Sequence, residues 1–267
     1  MPASQAARYL QATRSSDYIQ ALLDQRLRFE WAPTRMASDD PAKGLGQAAP
    51  EAMLWPKLIA CWGQRDVSSI WCPATSRLPE AGVETFEQLA QRGVTVTIVT
   101  NALEGTDVPI VHAGYAKWHS RLLKAGVQLF EMRGPANGGG MERNVTALGS
   151  TGSGARGAGS ALHAKTFSVD NVPVFVGFFN FDPRSANLNT ELGFVVESPA
   201  LAARMDDALA EFIPRSTYEV KLSGTGKLIW LENADGTVVR HDSEPGTTWR
   251  QRAALTVPSL LPIGWLL

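Results

Sequence analysis

Helical and strand patterns alternate along the middle of the sequence, and this alternation limits the possible folds more than any other feature. The β-branched segment VTVTIVT (94–100) follows a helical pattern that Gly93 closes, and a second helical pattern (109–125) ends before Gly126. A short strand, VQLFE, comes next at 127–131. A helix that connects two strands of one sheet crosses over so that the strands run parallel. We therefore predict an α/β domain with a largely parallel sheet and helices on its faces.

The same kinds of pattern extend to both sides of this unit. Residues 32–50 and the segment DPRSANLN (182–189) are polar and show no period, so we predict loops there. Helices are predicted at 16–27, 54–62, 83–92 and 199–212, and strands at 67–72, 163–170, 172–178 and 190–196.

These patterns divide the chain into three segments. The first is an N-terminal helix and linker (1–50), and the second is the α/β domain (51–215). The third (216–267) combines a hairpin, with strands YEVKL and KLIWLE and a turn at Ala234–Gly236, with an apolar tail.

A glycine-rich segment interrupts the α/β domain at 134–160, where nine residues are glycine. Glycine loses much conformational freedom in regular structure, so we predict a mobile loop. The segment matches neither G-x-x-x-x-G-K-[ST] nor a strand-linked G-x-G-x-x-G, and we do not interpret it as a nucleotide-binding loop.

Composition and charge disfavour several classes of protein. Lys and Arg number 25 against 26 Asp and Glu, without the basic surplus that is typical of nucleic-acid binders. The two cysteines, Cys61 and Cys72, lack the spacing of a zinc site or a disulfide framework. No apolar run reaches about 18 residues, so no transmembrane helix is predicted. The apolar tail, 253–267, is interrupted by Pro258 and Pro262.

A histidine and a lysine in H-x-K spacing carry the chemistry that the sequence suggests. His163 and Lys165 are two residues apart on a predicted strand, so both point to the same side. The neighbouring strand leads to Asn180. An imidazole nucleophile with an ammonium and a carboxamide beside it suits a tetrahedral phosphate. Glu191 can hold the second imidazole nitrogen.

At these residues the sequence resembles the phospholipase D superfamily, whose signature is H-x-K-x4-D-x6-G-S-x-N. His163, Lys165, Asp170, Gly177 and Asn180 occupy the matching positions. Within the superfamily the chain resembles the C-terminal, second-motif half of the C-type bacterial cardiolipin synthases. The resemblance extends over nearly the whole chain and includes SDDPAKGLG (38–46), TNALEGTDVPIVHAGYAKW (100–118), FNFDPRSANLNTELGFVVES (179–198) and LLPIGWLL (260–267).

The resemblance implies a fold and a set of roles. The expected fold class is α/β, a phospholipase D-like mixed sheet flanked by helices with a small C-terminal β-hairpin appendage. His163 would be the nucleophile or general acid/base, Lys165 and Asn180 phosphate ligands, and Glu191 the carboxylate that orients the histidine. Asp170 would have a structural, supporting role at the turn. No metal or organic cofactor is implied.

The resemblance also implies a reaction and partners. The chain would be a phosphatidyltransferase that acts through a phosphohistidine on a phospholipid, at the membrane surface. Segment 51–215 would be its phosphodiesterase domain, and 1–50 would be a remnant of the region between two motifs. The expected location is peripheral, on the cytoplasmic side of the bacterial inner membrane. No nucleic-acid partner is expected.

Two departures from the family pattern keep alternatives open. Phe178 stands where the signature has a small serine, and only one H-x-K motif is present although such enzymes use two. A second H-x-K-x4-D motif would come from another chain or from a missing N-terminal half. The alternatives are a single-motif homodimeric phosphodiesterase or nuclease, and a degenerate, non-catalytic fragment.

Other polar residues have simpler interpretations. We predict His112 as a core or capping histidine, and His119 and His241 as surface residues. Arg184 and Ser185 either bind phosphate or fix the loop after the site.

Overall fold

The computed structural model describes residues 7, 10–11, 13–27, 29–62, 69–73, 80–105, 109–134, 165–169, 172–180, 183–234 and 236–248. The predicted glycine-rich loop beyond Gly134 and the whole apolar tail lie outside these residues. Residue contacts divide the chain into two compact units, Met1–Pro33 and Thr34–Leu267.

The first unit contains helix α1, Asp17–Leu23, which is shorter than the helix predicted at 16–27. Ser16 occupies its N-cap position, and none of its side chains is buried. Apolar spacing therefore predicts the helix correctly, although its apolar side chains are not buried among the described residues.

Within the described residues, the second unit is built on one sheet of ten strands: β1 Thr34–Ser38, β2 Ser69–Pro73, β3 Thr95–Asn101, β4 Gln128–Met132, β5 Thr166–Val169, β6 Pro173–Gly177, β7 Leu192–Glu197, β8 Thr217–Leu222, β9 Leu228–Ala234 and β10 Thr237–His241. They lie in the order β1-β7-β6-β5-β2-β3-β4-β8-β9-β10. Strands β2, β3 and β4 run parallel, and every other neighbouring pair is antiparallel. The mixed sheet with its flanking helices confirms the phospholipase D-like fold class. The largely parallel sheet predicted from the alternation is wrong, because short connections reverse the chain between β5 and β6 and between β8, β9 and β10, and these strands pair antiparallel.

Helices pack on both faces of this sheet. Of those described, α2, α3 and α5 lie beside the main core, whereas α7 covers the opposite face with a smaller cluster around Val99, Leu209 and Ile213. No described helix has the length and apolarity needed to cross a membrane. The helices of this unit are α2 Leu54–Trp62, α3 Glu80–Gln91, α4 Pro109–Ala116, α5 His119–Lys124, α6 Pro183–Asn187 and α7 Pro199–Ser216.

Two helix predictions need correction. The helix predicted at 109–125 is broken into α4 and α5, because the Trp118 N–H bonds to the Tyr115 carbonyl and tightens the chain between them. The segment predicted as a polar loop at 182–189 contains α6, where Pro183 takes a first-turn position for which its ring is suited.

Strand β1 lies in the segment predicted as a loop at 32–50. Its sequence, TRMAS, has no strand period, and it pairs antiparallel with β7 from Thr34↔Val196 to Ser38↔Leu192. The strand forms because a distant segment supplies its hydrogen-bond partners, which local sequence does not reveal.

The C-terminal hairpin is present and continues the main sheet. Strand β8 pairs antiparallel with β4, and a third strand, β10, follows β9. At the predicted turn, Gly236 has a φ of +86° and its N–H donates to Asn233 Oδ1. Asp235 lies outside the described residues.

Two glycines allow a phenylalanine to lie across β6 and β7. Gly177 pairs with Gly193, and the ring of Phe175 occupies the space beside both of them. That ring also stacks on Phe167, with centroids 4.5 Å apart. A Cβ at Gly177 would lie 2.6 Å from both Phe175 Cζ and the Leu192 carbonyl oxygen.

We expect Gly177→Ala to lower the free energy of unfolding by about 1–3 kcal/mol, because the core must shift to admit the methyl group. Chemical denaturation measures this loss. The control is Gly224→Ala, where nothing lies within 4 Å of the new Cβ. Equal stabilities of the two variants would contradict the packing argument.

Candidate functional site

The predicted site residues that the structure describes, Lys165, Asn180 and Glu191, lie at one edge of the sheet. Lys165 directly precedes β5, Asn180 follows β6, and Glu191 directly precedes β7. Because these three strands are antiparallel neighbours, the start of β5, the end of β6 and the start of β7 meet at the same edge. The Gly177 N–H donates to the Lys165 carbonyl at 3.2 Å, which fixes Lys165 opposite the end of β6.

Two predicted site residues, His163 and Asp170, lie outside the described residues. Their roles as nucleophile and supporting carboxylate therefore stay predictions. Lys165, two residues after His163 in the sequence, is the first described residue beyond it.

Glu191 is buried and held on two sides. Its Oε1 accepts a hydrogen bond from Ser185 Oγ at 2.8 Å. Its backbone N–H donates to Asp39 Oδ2 at 2.9 Å, and its carbonyl accepts from the Asp39 N–H at 2.8 Å. Ser185 thus fixes the polypeptide around the site, which is one of the two roles left open for it. Arg184 is exposed.

A buried ion pair lies behind Glu191. Lys43 Nζ is 2.7 Å from Asp39 Oδ2, and both side chains are at most 1% exposed. Lys43 also donates to the Ser185 carbonyl at 2.6 Å, and Asp39 Oδ1 accepts from the Leu54 N–H at 2.6 Å. The pair therefore joins the end of β1, the start of α2, helix α6 and Glu191.

The segment that carries Asn180 is anchored by its neighbour in the core. Phe179 is buried and stacks on Trp55, with centroids 5.8 Å apart and planes 8° apart. Phe178 is 63% exposed, and its N–H donates to the Leu192 carbonyl at 2.9 Å. Strand β6 ends at Gly177, so its alternation does not extend to Phe178 and Asn180. Alternation therefore does not place these two side chains on the same face.

A second group of buried polar residues lies where β3 and β4 end. His112 Nδ1 is 3.2 Å from the Asn101 carbonyl oxygen, and Nε2 is 2.9 Å from Glu244 Oε1. Both partners are acceptors, so a doubly protonated imidazolium satisfies the geometry. Burial by itself lowers the pKa of His112, but the bond to Glu244 and the charges of Glu131 and Glu244 raise it above its ordinary value.

His119 is fully buried, so its prediction as a surface residue is wrong. The break before α5 turns this histidine toward the core, where its Nε2 lies 3.2 Å from Glu131 Oε1. The other carboxylate oxygen of Glu131 accepts from Trp230 Nε1 at 2.7 Å. Burial alone raises the pKa of Glu131, yet the adjacent His119 and nearby His112 bring it below its ordinary value. His241 is half-buried and bonded to Glu232.

Comparisons with known proteins decide the family. A family model described as "Cardiolipin synthase, PLD-like domain" matches residues 68–213. The chain is 37% identical to cardiolipin synthase C of Escherichia coli (strain K12) over 265 residues, 97% of this chain and 54% of that protein. This chain belongs to the phospholipase D superfamily. The resemblance on which the sequence interpretation rested is confirmed.

Other phospholipase D relatives are more distant. Cardiolipin synthase B of Salmonella typhi is 25% identical over 159 residues, which is 60% of this chain and 32% of that protein. Among solved structures, the phospholipase D family member Nuc from Salmonella typhimurium has 17% identity and a TM-score of 0.49, covering 72% of this chain and 99% of that chain. The chain spans about half the length of the Escherichia coli relative and about a third of the Salmonella typhi protein.

Sequence reasoning missed the buried pair of Asp39 and Lys43 behind Glu191. Both lie in SDDPAKGLG, which the resemblance included without assigning roles. A local signal was available, because Asp40 caps the turn that follows by accepting from the Ala42 N–H at 2.8 Å. That turn places Lys43 beside Asp39, four residues earlier.

We expect Lys43→Met to lower the free energy of unfolding by about 3–5 kcal/mol, because it leaves the Asp39 carboxylate buried without its cation. Lys221→Met is the matched control, since Lys221 and Glu219 form an exposed pair that should contribute about 0–1 kcal/mol. Urea denaturation of both variants measures the difference. Similar losses in the two variants would show that the buried pair does not organise this region.

The His112–Glu244 contact predicts a dependence of stability on pH. A histidine whose pKa is raised in the folded protein adds stability that is complete below its unfolded pKa of about 6.5. This stability is lost as the pH rises through the folded pKa. We expect the difference in unfolding free energy between the parent and His112→Asn to shrink over that range. A difference that stays constant or grows with pH would contradict the imidazolium.

Proposed function

We propose that this chain supplies one half of a phospholipase D-type active site that transfers phosphatidyl groups through a phosphohistidine. The observation that carries the proposal is the meeting of Lys165, Asn180 and Glu191 at one sheet edge, with His163 two residues from Lys165 in the chain. An ammonium, a carboxamide and an oriented carboxylate around a histidine are the groups that phosphoryl transfer through histidine requires.

In the first step, a nitrogen of the His163 imidazole attacks the phosphorus of a phospholipid phosphodiester. A P–N bond forms as the P–O bond to the leaving alcohol breaks, and the leaving oxygen takes a proton from a second imidazole. Lys165 and Asn180 bind the phosphoryl oxygens, whose charge grows in the transition state. Glu191 accepts a hydrogen bond from the N–H of the other His163 nitrogen and stabilises the positively charged ring.

In the second step, an acceptor hydroxyl gives its proton to the second imidazole and attacks phosphorus. The P–N bond breaks and His163 is regenerated, so the proton and the bonds balance over the cycle. The acceptor is the headgroup hydroxyl of another lipid for transfer, or water for hydrolysis.

The network behind Glu191 supports the orienting role. The Ser185 hydroxyl occupies one face of the carboxylate, and Asp39 fixes the backbone of Glu191 on both its N–H and its carbonyl. Rigid partners of this kind reduce the reorganisation that the carboxylate would otherwise undergo when charge develops on the histidine.

The second imidazole must come from a second H-x-K-x4-D motif, since this sequence has one. Cardiolipin synthase C of Escherichia coli, of which the chain covers 54%, is long enough for a second domain of similar size. We place the working complex at a membrane surface, as a peripheral protein on the cytoplasmic side of the inner membrane, because phospholipid is the substrate.

We expect His163→Ala to remove phospholipid turnover from any complex that contains this chain. A general acid or base alone contributes about 10²- to 10⁴-fold, and a nucleophile contributes more. Release of headgroup alcohol from phospholipid vesicles measures the loss. The control is His241→Ala, which changes a histidine on β10 and should retain turnover. Turnover that survives in His163→Ala would overturn the assignment.

A further inference from the structure

Four exposed apolar side chains lie along the sheet edge that carries the candidate site. We call them the apolar rim, and their exposed fractions range from 38% to 74%: Leu45, Phe178, Leu188 and Leu192. Single exposed apolar residues are common on folded domains, but several of them gathered in one region usually mark an interaction site. The rim therefore needs a binding partner of defined chemistry.

The rim residues come from three separate segments that contact one another. Leu45 ends a short 3₁₀ helix, and a Cβ on the adjacent Gly44 would lie 3.9 Å from the Leu188 carbonyl oxygen. The Phe178 N–H donates to the Leu192 carbonyl at 2.9 Å. The three segments, all of them described by the structure, are residues 40–46, 178–180 and 183–192.

The rim alternates along the chain with the polar groups of the candidate site. Phe178 lies two residues before Asn180, and Leu188 and Leu192 flank Glu191. Glu191 is 8% exposed, so its carboxylate stays inside while the leucines on either side of it reach solvent. A molecule that binds the rim therefore lies beside the candidate site.

The exposed charge beside the rim is positive. Within the three segments, Lys43 and Glu191 are buried, and the half-buried Asp40 carboxylate accepts from the Ala42 N–H at 2.8 Å. Arg184 is exposed in α6, one helical turn before the rim leucine that follows this helix. Leucine and phenylalanine beside an exposed arginine suit a phospholipid surface, because the apolar side chains reach the acyl chains and a guanidinium binds phosphate.

We propose that the apolar rim inserts into the surface of a phospholipid bilayer and holds the site edge at the level of the lipid phosphates. Apolar groups of interfacial proteins enter the boundary between headgroups and acyl chains by about 5–10 Å. At that depth Lys165 and Asn180, behind the rim, lie level with the phosphodiesters, and Arg184 binds anionic headgroups. The inference rests on the proposed function, because a phospholipid substrate is what requires this edge to face a bilayer.

Flotation of the full chain with vesicles of phosphatidylglycerol and phosphatidylethanolamine tests the contact. We expect Leu45→Asp and Leu188→Asp each to weaken vesicle binding by about tenfold or more, because each removes an inserted side chain and adds a carboxylate at the same depth. Val238→Asp is the matched control, since Val238 is 66% exposed on β10 at the far end of the sheet. Thermal melting of each variant verifies that it is folded.

A second arm tests the charge. We expect Arg184→Gln to lower the affinity for phosphatidylglycerol vesicles more than the affinity for phosphatidylcholine vesicles, since phosphatidylglycerol carries a net negative charge. An equal effect on both kinds of vesicle would overturn the role of Arg184.

Three results would overturn the inference about the rim. These are a full chain that does not bind vesicles, leucine variants that bind vesicles like the parent, and leucine variants whose defect is a lost association between protein molecules in sedimentation velocity. His163→Ala should bind vesicles like the parent, so binding is measured apart from chemistry. Rim-dependent binding without phospholipid turnover would contradict the proposed function alone, whereas turnover with binding that the leucine variants leave intact would overturn this inference alone.

Discussion

The buried Asp39–Lys43 pair is the interaction on which the site end of the sheet depends. Asp39 reaches Glu191, 152 residues away in sequence, while Lys43 holds the Ser185 carbonyl. Two charges out of water are tolerated only when their hydrogen-bonding capacity is used, and here it connects β1, α2, α6 and the start of β7. The position of the Glu191 carboxylate is therefore a property of this network and not of the local chain.

Strand alternation couples the candidate site to the surface on the other side of the sheet. Gly177 and Gly193 leave room for the Phe175 ring on the core face, and Phe179 beyond them anchors the segment that leads to Asn180. The intervening residues, among them Val176, face outward. A one-residue slip of β6 would exchange the two sets, so the register that buries Phe175 also fixes that Val176 is exposed on the other face.

Periodic segments were predictable from sequence because their pattern is local. Strand β3 is buried along almost its whole length, and its β-branched run shows this. Strand β1 was missed because its partner, β7, is remote in sequence. His119 was wrongly predicted on the surface because the sequence pattern did not reveal the break at Trp118, which changes the direction of the helix. The motif selected Lys165 and Asn180, and the family resemblance added Glu191. The local turn at Asp40 accounts for the pairing of Asp39 with Lys43, but their contacts with Glu191 and Ser185 needed the tertiary structure.

Phe178 has two opposing effects on free energy, a lost hydrogen bond and an added apolar contact. As a replacement for a small hydroxyl residue it forfeits a hydrogen bond to a charged oxygen, which is worth about 1.5–3 kcal/mol. Its backbone N–H donates to the Leu192 carbonyl and its ring is exposed, so the ring adds apolar area to the protein surface instead. Full burial of such a ring contributes about 1.5–3 kcal/mol. The two ranges of free energy coincide, so burial of the exposed ring against a bound molecule would offset the stabilisation that the missing hydroxyl no longer supplies.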